Sequence, residues 1–487
     1  MRAGRIATDA VIVKAKSAKP RLLVAGLAGG SGKTLVTMGL LLLLRRAGIE
    51  VRAFKKGPDY IDPAWLEWAS AHRARNLDAF LMGAEDVRAS FLRHAIADGI
   101  NLIEGNRGLF DGVDAAGTYS SAALAESLDA PIVLVIDATK MTRTAAALVL
   151  GCEKLAPPGL IQGVLLNNVS GQRHERILRQ AIESACSIPI IGALPRMVRN
   201  PLPERHLGLV PPDEHHETER VEQSLLGWME DRIDLDALRS IALRAPGLDS
   251  TEDLRAPLPD GRGLKIGYLR DAAFSFYYPE NLEELDRAGV ELIRISALDA
   301  PALPTGLHAL YIGGGFPETH ARALSANASF LESIRAACAA GLPVYAECGG
   351  LMLLARSLTW KGIHYPMANV FPVDVGAFAK PQGHGYSEVV VDAANPFFAQ
   401  GVHLLGHEFH YSRIVSGSED VATACTVVRG TGCFARRDGL IVQNAMAGYT
   451  HLHATATPEW GAGMIVAANE FAARTRAPSV MAEPIST

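Results

Sequence analysis

Residues 26–34 read GLAGGSGKT, after the apolar run RLLVAG and before the helical stretch KTLVTMGLLLLL. A glycine-rich loop between a strand and a helix lets backbone N–H groups converge on an anion, and the helix N-terminus adds partial positive charge. That order commits the strand to a parallel sheet, because a strand followed by a helix returns by a crossover to the same sheet. The common phosphate-loop pattern has four residues between its first glycine and Gly-Lys, and counted from Gly26 this loop has five. The physics survives the extra residue. Gly29, Gly30 and Gly32 let the backbone curl around Ser31, Lys33 can reach terminal phosphates, and the Thr34 hydroxyl can ligate Mg2+. The alternative, a glycine-rich turn that binds nothing, fits poorly with the strand–loop–helix order and the terminal Gly-Lys-Thr.

The rest of the chain repeats the alternation. Apolar runs VRAFKKG, NLIEGN, PIVLVIDAT, GLIQGVLLNNV and PIIGALP, separated by helical stretches, predict a parallel sheet covered on both faces. Between about 200 and 262 the chain turns rich in proline, histidine and charge, and TEDLRAPLPDGRG reads as a linker. A second alternating series begins at Leu264 with LKIGYL, ELIRI, ALYIGGG and PVYAE, and ends in shorter strands around HGYSEVVV, HEFHYSRIV and LIVQNAMAGY. The expected architecture is therefore two tandem α/β domains: an N-terminal extension over 1–20, a phosphate-loop domain over 21–250, a linker over 251–263 and a second domain over 264–475.

Composition removes whole classes of function. A formal net charge of −5 and 6% aromatics argue against nucleic-acid binding. Six cysteines with no Cys-x-x-Cys pair fit a reducing cytoplasm rather than a zinc site or a disulfide framework. The basic N-terminus lacks an export-length apolar core, and Leu40–Leu44 is far short of the ~20 residues a membrane span needs. A cytoplasmic protein with no membrane partner is expected.

Mg2+ prefers one or two carboxylates plus phosphate oxygens. Glu104 ends an apolar strand, where an acid is unusual without a partner or metal, so Thr34 and Glu104 are the candidate Mg2+ ligands. Asp59 and Asp62 in KKGPDYIDP, and Asp111 in LFDG, follow other strand ends, where ligands of parallel sheets bind.

A second site is written in PVYAECGGLMLL, residues 343–354, which reads strand, Cys348, Gly-Gly, helix. A sharp strand-to-helix turn exposes one nucleophilic side chain, and a helix N-terminus helps lower a thiol pKa. Backbone N–H groups at Gly349, and at Gly314 in YIGGGFPE, are candidate oxyanion donors. A cysteine nucleophile needs a base, and His407, His410, His451 and His453 are all available. A metal at HEFH is disfavoured, because residues three apart on a strand point to opposite faces. Cys186 and Cys338 sit in helical stretches and read as inert.

Together GLAGGSGKT, KKGPDYIDP, NLDAF, GLFDG, PERHLGLV, GGGFPE, AECGGLM, HEFHYS and YTHLH, in that order over about residues 20–470, resemble the cobyrinic acid a,c-diamide synthase family. The resemblance implies a dethiobiotin-synthetase-type phosphate-loop domain, in which the five-residue gap is normal, followed by a class I glutamine amidotransferase domain. It implies ATP and glutamine as co-substrates, Mg2+ as cofactor and a tetrapyrrole as acceptor. Cys348 would attack the glutamine amide, with His451 as base and His453 as runner-up. Class I domains often carry His-Pro-Glu at this point; Leu452 follows His451 here, so a Cys–His dyad is expected. Lys33, Thr34 and Glu104 would hold ATP and Mg2+, and Asp59, Tyr60, Asp62, Asn76 and Asp78 would line the tetrapyrrole side. The chain departs from the family pattern at AWLEW after GPDYIDP, at Asn106 and Arg107, and at Ala454. Arg107 adds a cation beside the acceptor, which keeps sirohaem, hydrogenobyrinic acid and nickel-sirohydrochlorin as alternative substrates. A partner-binding switch of the ParA/MinD type is disfavoured, since those loops usually carry a second, earlier lysine. An inactive amidotransferase scaffold is disfavoured by the intact AECGG and YTHLH. A homodimer is compatible with everything above.

Overall fold

The computed structural model describes residues 16–476 apart from 198, 203, 206, 207, 216 and 250–254. Most of the expected N-terminal extension, part of the linker and parts of PERHLGLV lie outside the described residues.

The first sheet has seven strands: β1 (Arg21–Gly26), β2 (Val51–Lys56), β3 (Arg75–Leu77), β4 (Ile100–Gly108), β5 (Ile132–Asp137), β6 (Ile161–Val169) and β7 (Ile190–Pro195). They are ordered β3-β2-β4-β1-β5-β6-β7, all parallel. Every residue of β1 is buried, as expected for a central strand covered on both sides. Side chains alternate between two cores: Leu23 and Ala25 face one, Leu22 and Val24 the other. Helix α1 (Lys33–Arg46) carries an apolar run, Leu40–Leu44, that is buried throughout. Helices α2 (Ile61–Ser70) and α3 (Ala79–His94) follow β2 and β3. Strand β3, only three residues long, overlaps the start of NLDAF and carries too little periodicity to be read from sequence.

The second sheet has ten strands. Those that position the site are β8 (Lys265–Leu269), β9 (Glu291–Ile295), β10 (Ala309–Ile312), β11 (Val344–Glu347), β12 (Gly383–Val391), β13 (His403–His410), β14 (Ala422–Arg429), β15 (Arg437–Val442), β16 (Ala445–Gly448) and β17 (His451–Leu452). The order is β9-β8-β10-β11-β16-β15-β14-β12-β13-β17, parallel from β9 to β16 and antiparallel beyond. Only Tyr449 and Thr450 separate central β16 from β17 at the far edge. Three residue steps span at most about 11 Å. The sheet must therefore curl until edge strand β13 approaches the middle, and this curl carries His451 back to the elbow at the end of β11. Helix α4 (Pro279–Arg287) packs against the C-terminal helix, and the six-residue α5 (Gly349–Leu354) follows the elbow.

The two halves meet along named contacts. Arg75 Nη1 lies 3.3 Å from Glu280 Oε1, and its Nη2 lies 2.6 Å from Glu283 Oε1. The Tyr386 hydroxyl donates to Asp78 Oδ2 at 2.7 Å, and its ring stacks on Phe80 with centroids 4.1 Å apart. Tyr60 stacks on Phe276 at 5.1 Å.

Candidate active sites

In the phosphate loop, Gly30 and Gly32 have φ of 76° and 84°. Gly32 is also crowded, since a Cβ there would lie 2.4 Å from Asn167 Nδ2, which donates to the Ser31 carbonyl at 3.0 Å. Gly29 is different: its φ is not positive and open space surrounds its Cβ direction, so its glycine is not demanded by the fold. Lys33 Nζ donates to the Ala28 carbonyl at 2.8 Å and to Ser31 Oγ at 3.4 Å, and burial lowers its pKa. Asn167, at the end of β6, props the loop; nothing in its sequence neighbourhood marks it.

Behind the loop lies a buried charge cluster. The Thr34 hydroxyl donates to Glu104 Oε1 at 2.7 Å, and Lys55 Nζ donates to the same oxygen at 2.8 Å and to Asp62 Oδ2 at 2.5 Å. Glu104 Oε2 is buried with no hydrogen-bond partner among the described residues. Burial raises the Glu104 pKa, while Lys55 and the Thr34 hydroxyl act against that rise. Burial works against the Lys55 charge, yet Asp62 and Glu104 outweigh it and raise its pKa. Asp59, with burial and then Asp62 pushing it, rises to about 7. An orphaned carboxylate oxygen beside a threonine hydroxyl at the mouth of a phosphate loop suits Mg2+, which completes its shell with phosphate oxygens and water. Lys55 was not singled out from sequence; the two lysines of FKKGPD were its only trace.

A cavity of about 610 Å3 opens between the two halves. From the first come Lys56, Asp59, Tyr60, Asp62, Arg107 and Asp111, and from the second His384, Tyr386, His407, Arg429 and His451. Asn76 and Asp78 stand behind this wall rather than on it. Asn76 Nδ2 donates to the Gly57 and Asp59 carbonyls, both at 2.8 Å, and so shapes the acidic loop. Asp78 caps α3 by accepting from the Phe80 and Leu81 amides at 2.9 and 3.1 Å. His384, Tyr386 and Arg429 were not foreseen, because a lining contributed by a different domain leaves no local pattern.

At the elbow, Cys348 has φ 49° and ψ −95°, a costly conformation for a non-glycine residue and the signature of a nucleophile turn. Its amide donates to the Gly448 carbonyl at 2.7 Å, which locks the turn onto β16. A Cβ on Gly349 would lie 3.1 Å from the Gly315 nitrogen, so the two glycine-rich strand ends abut. A Cβ on Gly314 would lie 2.7 Å from His451 Cε1, so His451 closes over the same point. The helix was expected to lower the thiol pKa. Instead burial, and then the Glu318 charge, push the Cys348 thiol up, and the Gly349 amide offsets them only in part. A thiol raised in this way needs a base before it can attack.

Each histidine can now be located. His451 is buried, with Nδ1 3.4 Å from Glu347 Oε2. The strand ends at Leu452, so His453 does not continue the same face: its Nε2 lies 3.5 Å from Glu280 Oε2, and its Nδ1 accepts from the Thr455 amide. His407 stacks on His451 with centroids 5.0 Å apart, and burial, then His451, hold its pKa well below the ordinary value. His410 points to the other face and stacks on Tyr449 at 3.8 Å. Cys338 is buried in a helix, whereas Cys186 lies just past one.

Comparison with known proteins follows the same division. Residues 22–210 match the CobQ/CobB/MinD/ParA nucleotide binding domain, and residues 265–459 match the CobB/CobQ-like glutamine amidotransferase domain. The cobyrinate a,c-diamide synthase of Magnetococcus marinus is 44% identical over 448 residues, covering 91% of this chain and 95% of that relative. Those of Caldanaerobacter subterraneus subsp. tengcongensis and Archaeoglobus fulgidus are 38% and 37% identical, covering 88% and 89% of this chain and 94% of each relative. With two matched domains in this order and relatives aligned over nearly their whole length, the chain belongs to the cobyrinate a,c-diamide synthase family.

Proposed function

We propose that this protein uses ATP and glutamine to amidate the a and c side-chain carboxylates of cobyrinic acid. The observation that carries the reading is the shared cavity, which is lined at once by Asp59 and Asp62 beside the phosphate loop and by His451 beside the elbow. In this reading His451 takes the Cys348 proton and the thiolate attacks the glutamine carboxamide carbon. The Gly314 and Gly349 amides hold the oxyanion. His451 returns the proton to the departing nitrogen, ammonia leaves, and water hydrolyses the glutamyl thioester.

On the other side Lys33 pairs with the terminal phosphates of ATP, and a substrate carboxylate attacks the γ-phosphorus to give an acyl phosphate as ADP departs. Ammonia then displaces phosphate. Thr34 and Glu104 are the residues that would hold Mg2+, which supplies charge neutralisation for the phosphates. Lys56 and Arg107, with Arg429 from the second domain, suit an acceptor that carries several carboxylates. We assign residues 21–250 to the ligase unit and 264–475 to the glutaminase unit.

The test supplies glutamine and ATP–Mg2+ with cobyrinic acid, hydrogenobyrinic acid, nickel-sirohydrochlorin or sirohaem and follows the mass of the acceptor. Two successive carboxylate-to-amide steps are expected with cobyrinic acid. Conversion of sirohaem alone overturns the choice of substrate. Cys348→Ala is expected to abolish glutamine-fed amidation and to keep ammonium-fed amidation.

A further inference from the structure

The class I pattern expects an acid two residues after the histidine, and that position here is His453, which faces Glu280. The dyad that this departure implied leaves His451 Nδ1 without a fixed partner. The structure supplies one from elsewhere. Glu347, the last residue of β11 and the residue before Cys348, pairs in the parallel ladder with Gly448, three residues before His451. Its side chain is 1% exposed, as is that of His451, and Oε2 approaches Nδ1 at 3.4 Å. The same oxygen accepts from the Tyr311 hydroxyl at 3.3 Å, and Oε1 accepts from the Leu452 amide at 3.2 Å. A carboxylate this deeply buried has to be held by hydrogen bonds, and every one of these ties it to the strand that carries His451 or to neighbouring β10.

We propose that Glu347 is the positioning carboxylate of a Cys348–His451–Glu347 triad, its acid donated from the nucleophile strand. The inference rests on the glutaminase reading above. By accepting from Nδ1–H, Glu347 holds His451 in the tautomer whose Nε2 is free to take the thiol proton. It then stabilises the imidazolium that exists until that proton passes to the departing ammonia. Triads are defined by this geometry and these roles, and chain order varies between folds. The 3.4 Å contact is long, as catalytic hydrogen bonds often are before substrate binds. Among the described residues the rings packed against His451 are His407, which stacks on it, and Tyr60, which is tilted against it, and the side-chain partner of Nδ1 is Glu347.

Glu347→Gln separates this role from a structural one. The amide oxygen can still accept from the Leu452 amide, but the amide nitrogen can only donate, so it turns His451 to the Nε2–H tautomer, which cannot accept the thiol proton. Glutaminase kcat is expected to fall by about 10³–10⁴, as for the equivalent change in a serine triad, with KM nearly unchanged. Glu347→Asp should restore most of the rate. Ammonium-fed amidation, which bypasses the elbow, is the control for folding. A Glu347→Gln kcat within about tenfold of the parent overturns the proposal. So does a parallel loss of ammonium-fed amidation, which would mark Glu347 as merely structural. If Cys348→Ala still hydrolyses glutamine, the functional reading itself has failed. If Cys348→Ala is inert and Glu347→Gln is not, only the triad falls.

Discussion

Replacing Lys55 by methionine removes the cation that bridges Asp62 and Glu104 in the first domain while roughly keeping volume. In the parent, Nζ bridges Asp62 at 2.5 Å and Glu104 at 2.8 Å, with side-chain exposures of 2% for Lys55 and 0% for Glu104. Removing one partner of a buried pair leaves the other uncompensated and costs about 3–5 kcal/mol. For a domain of this size about 1 kcal/mol moves the midpoint by about 2–4 °C, so a fall of about 6–20 °C is expected by calorimetry. The sign of its pH dependence follows from Glu104. Burial already holds that carboxyl above its ordinary value, and Lys55 acts against the rise. In the variant the folded pKa climbs further. A carboxyl raised on folding contributes its stability below the unfolded pKa, about 4.3, and that contribution is lost as pH rises through the folded value. The gap between Lys55→Met and the parent should therefore be small near pH 4 and widen as pH rises above it. A gap below about 2 °C at neutral pH, or one that does not change with pH, refutes this electrostatic account.

Two further outcomes follow from single contacts. Gly32→Ala meets both a φ of 84° and an Asn167 Nδ2 atom 2.4 Å from the new Cβ, so ATP binding, measured by titration calorimetry, should be lost while the elbow still hydrolyses glutamine. Burial opposes the Glu280 charge, but His453 and Arg75 outweigh it and hold its pKa to about 2. A carboxyl lowered on folding contributes stability above its unfolded pKa and loses it as pH falls through the folded one. The stability lead of the parent over Glu280→Gln should therefore shrink as acid takes the pH from about 4.3 down to 2; a lead that stays constant through that window contradicts the pairing.

What sequence could and could not reveal divides along physical lines. Strand–loop–helix order is local, so the buried β1, the left-handed Gly30 and Gly32 and the turn at Cys348 were all legible in short quoted stretches. Long parallel strands announce themselves as continuous apolar runs, whereas three-residue β3 does not. Partnerships across the fold were hidden. Lys55 and Asn167 matter because of what the sheet brings beside them, and Arg429 because a second domain aims it at the first. The thiol pKa was misjudged for the same reason. The turn showed the helix, but burial and Glu318, which dominate at Cys348, depend on tertiary packing.

The curl of the second sheet explains how Glu347 comes to face His451. Had β17 simply extended β16, His451 would run on beyond the end of the parallel strands, and its Nδ1 would face whatever followed in the chain. Instead Tyr449 and Thr450 carry the chain across, and His451 pairs with His407 on β13. That turn swings the imidazole back over the end of β11, where Glu347 is the last residue. It also brings the ring within 5.3 Å of Tyr60, whose neighbours Asp59 and Asp62 line the same cavity from the first domain. The shape that brings His451 over Glu347 is thus the shape that turns the elbow toward the acidic cluster of the first domain.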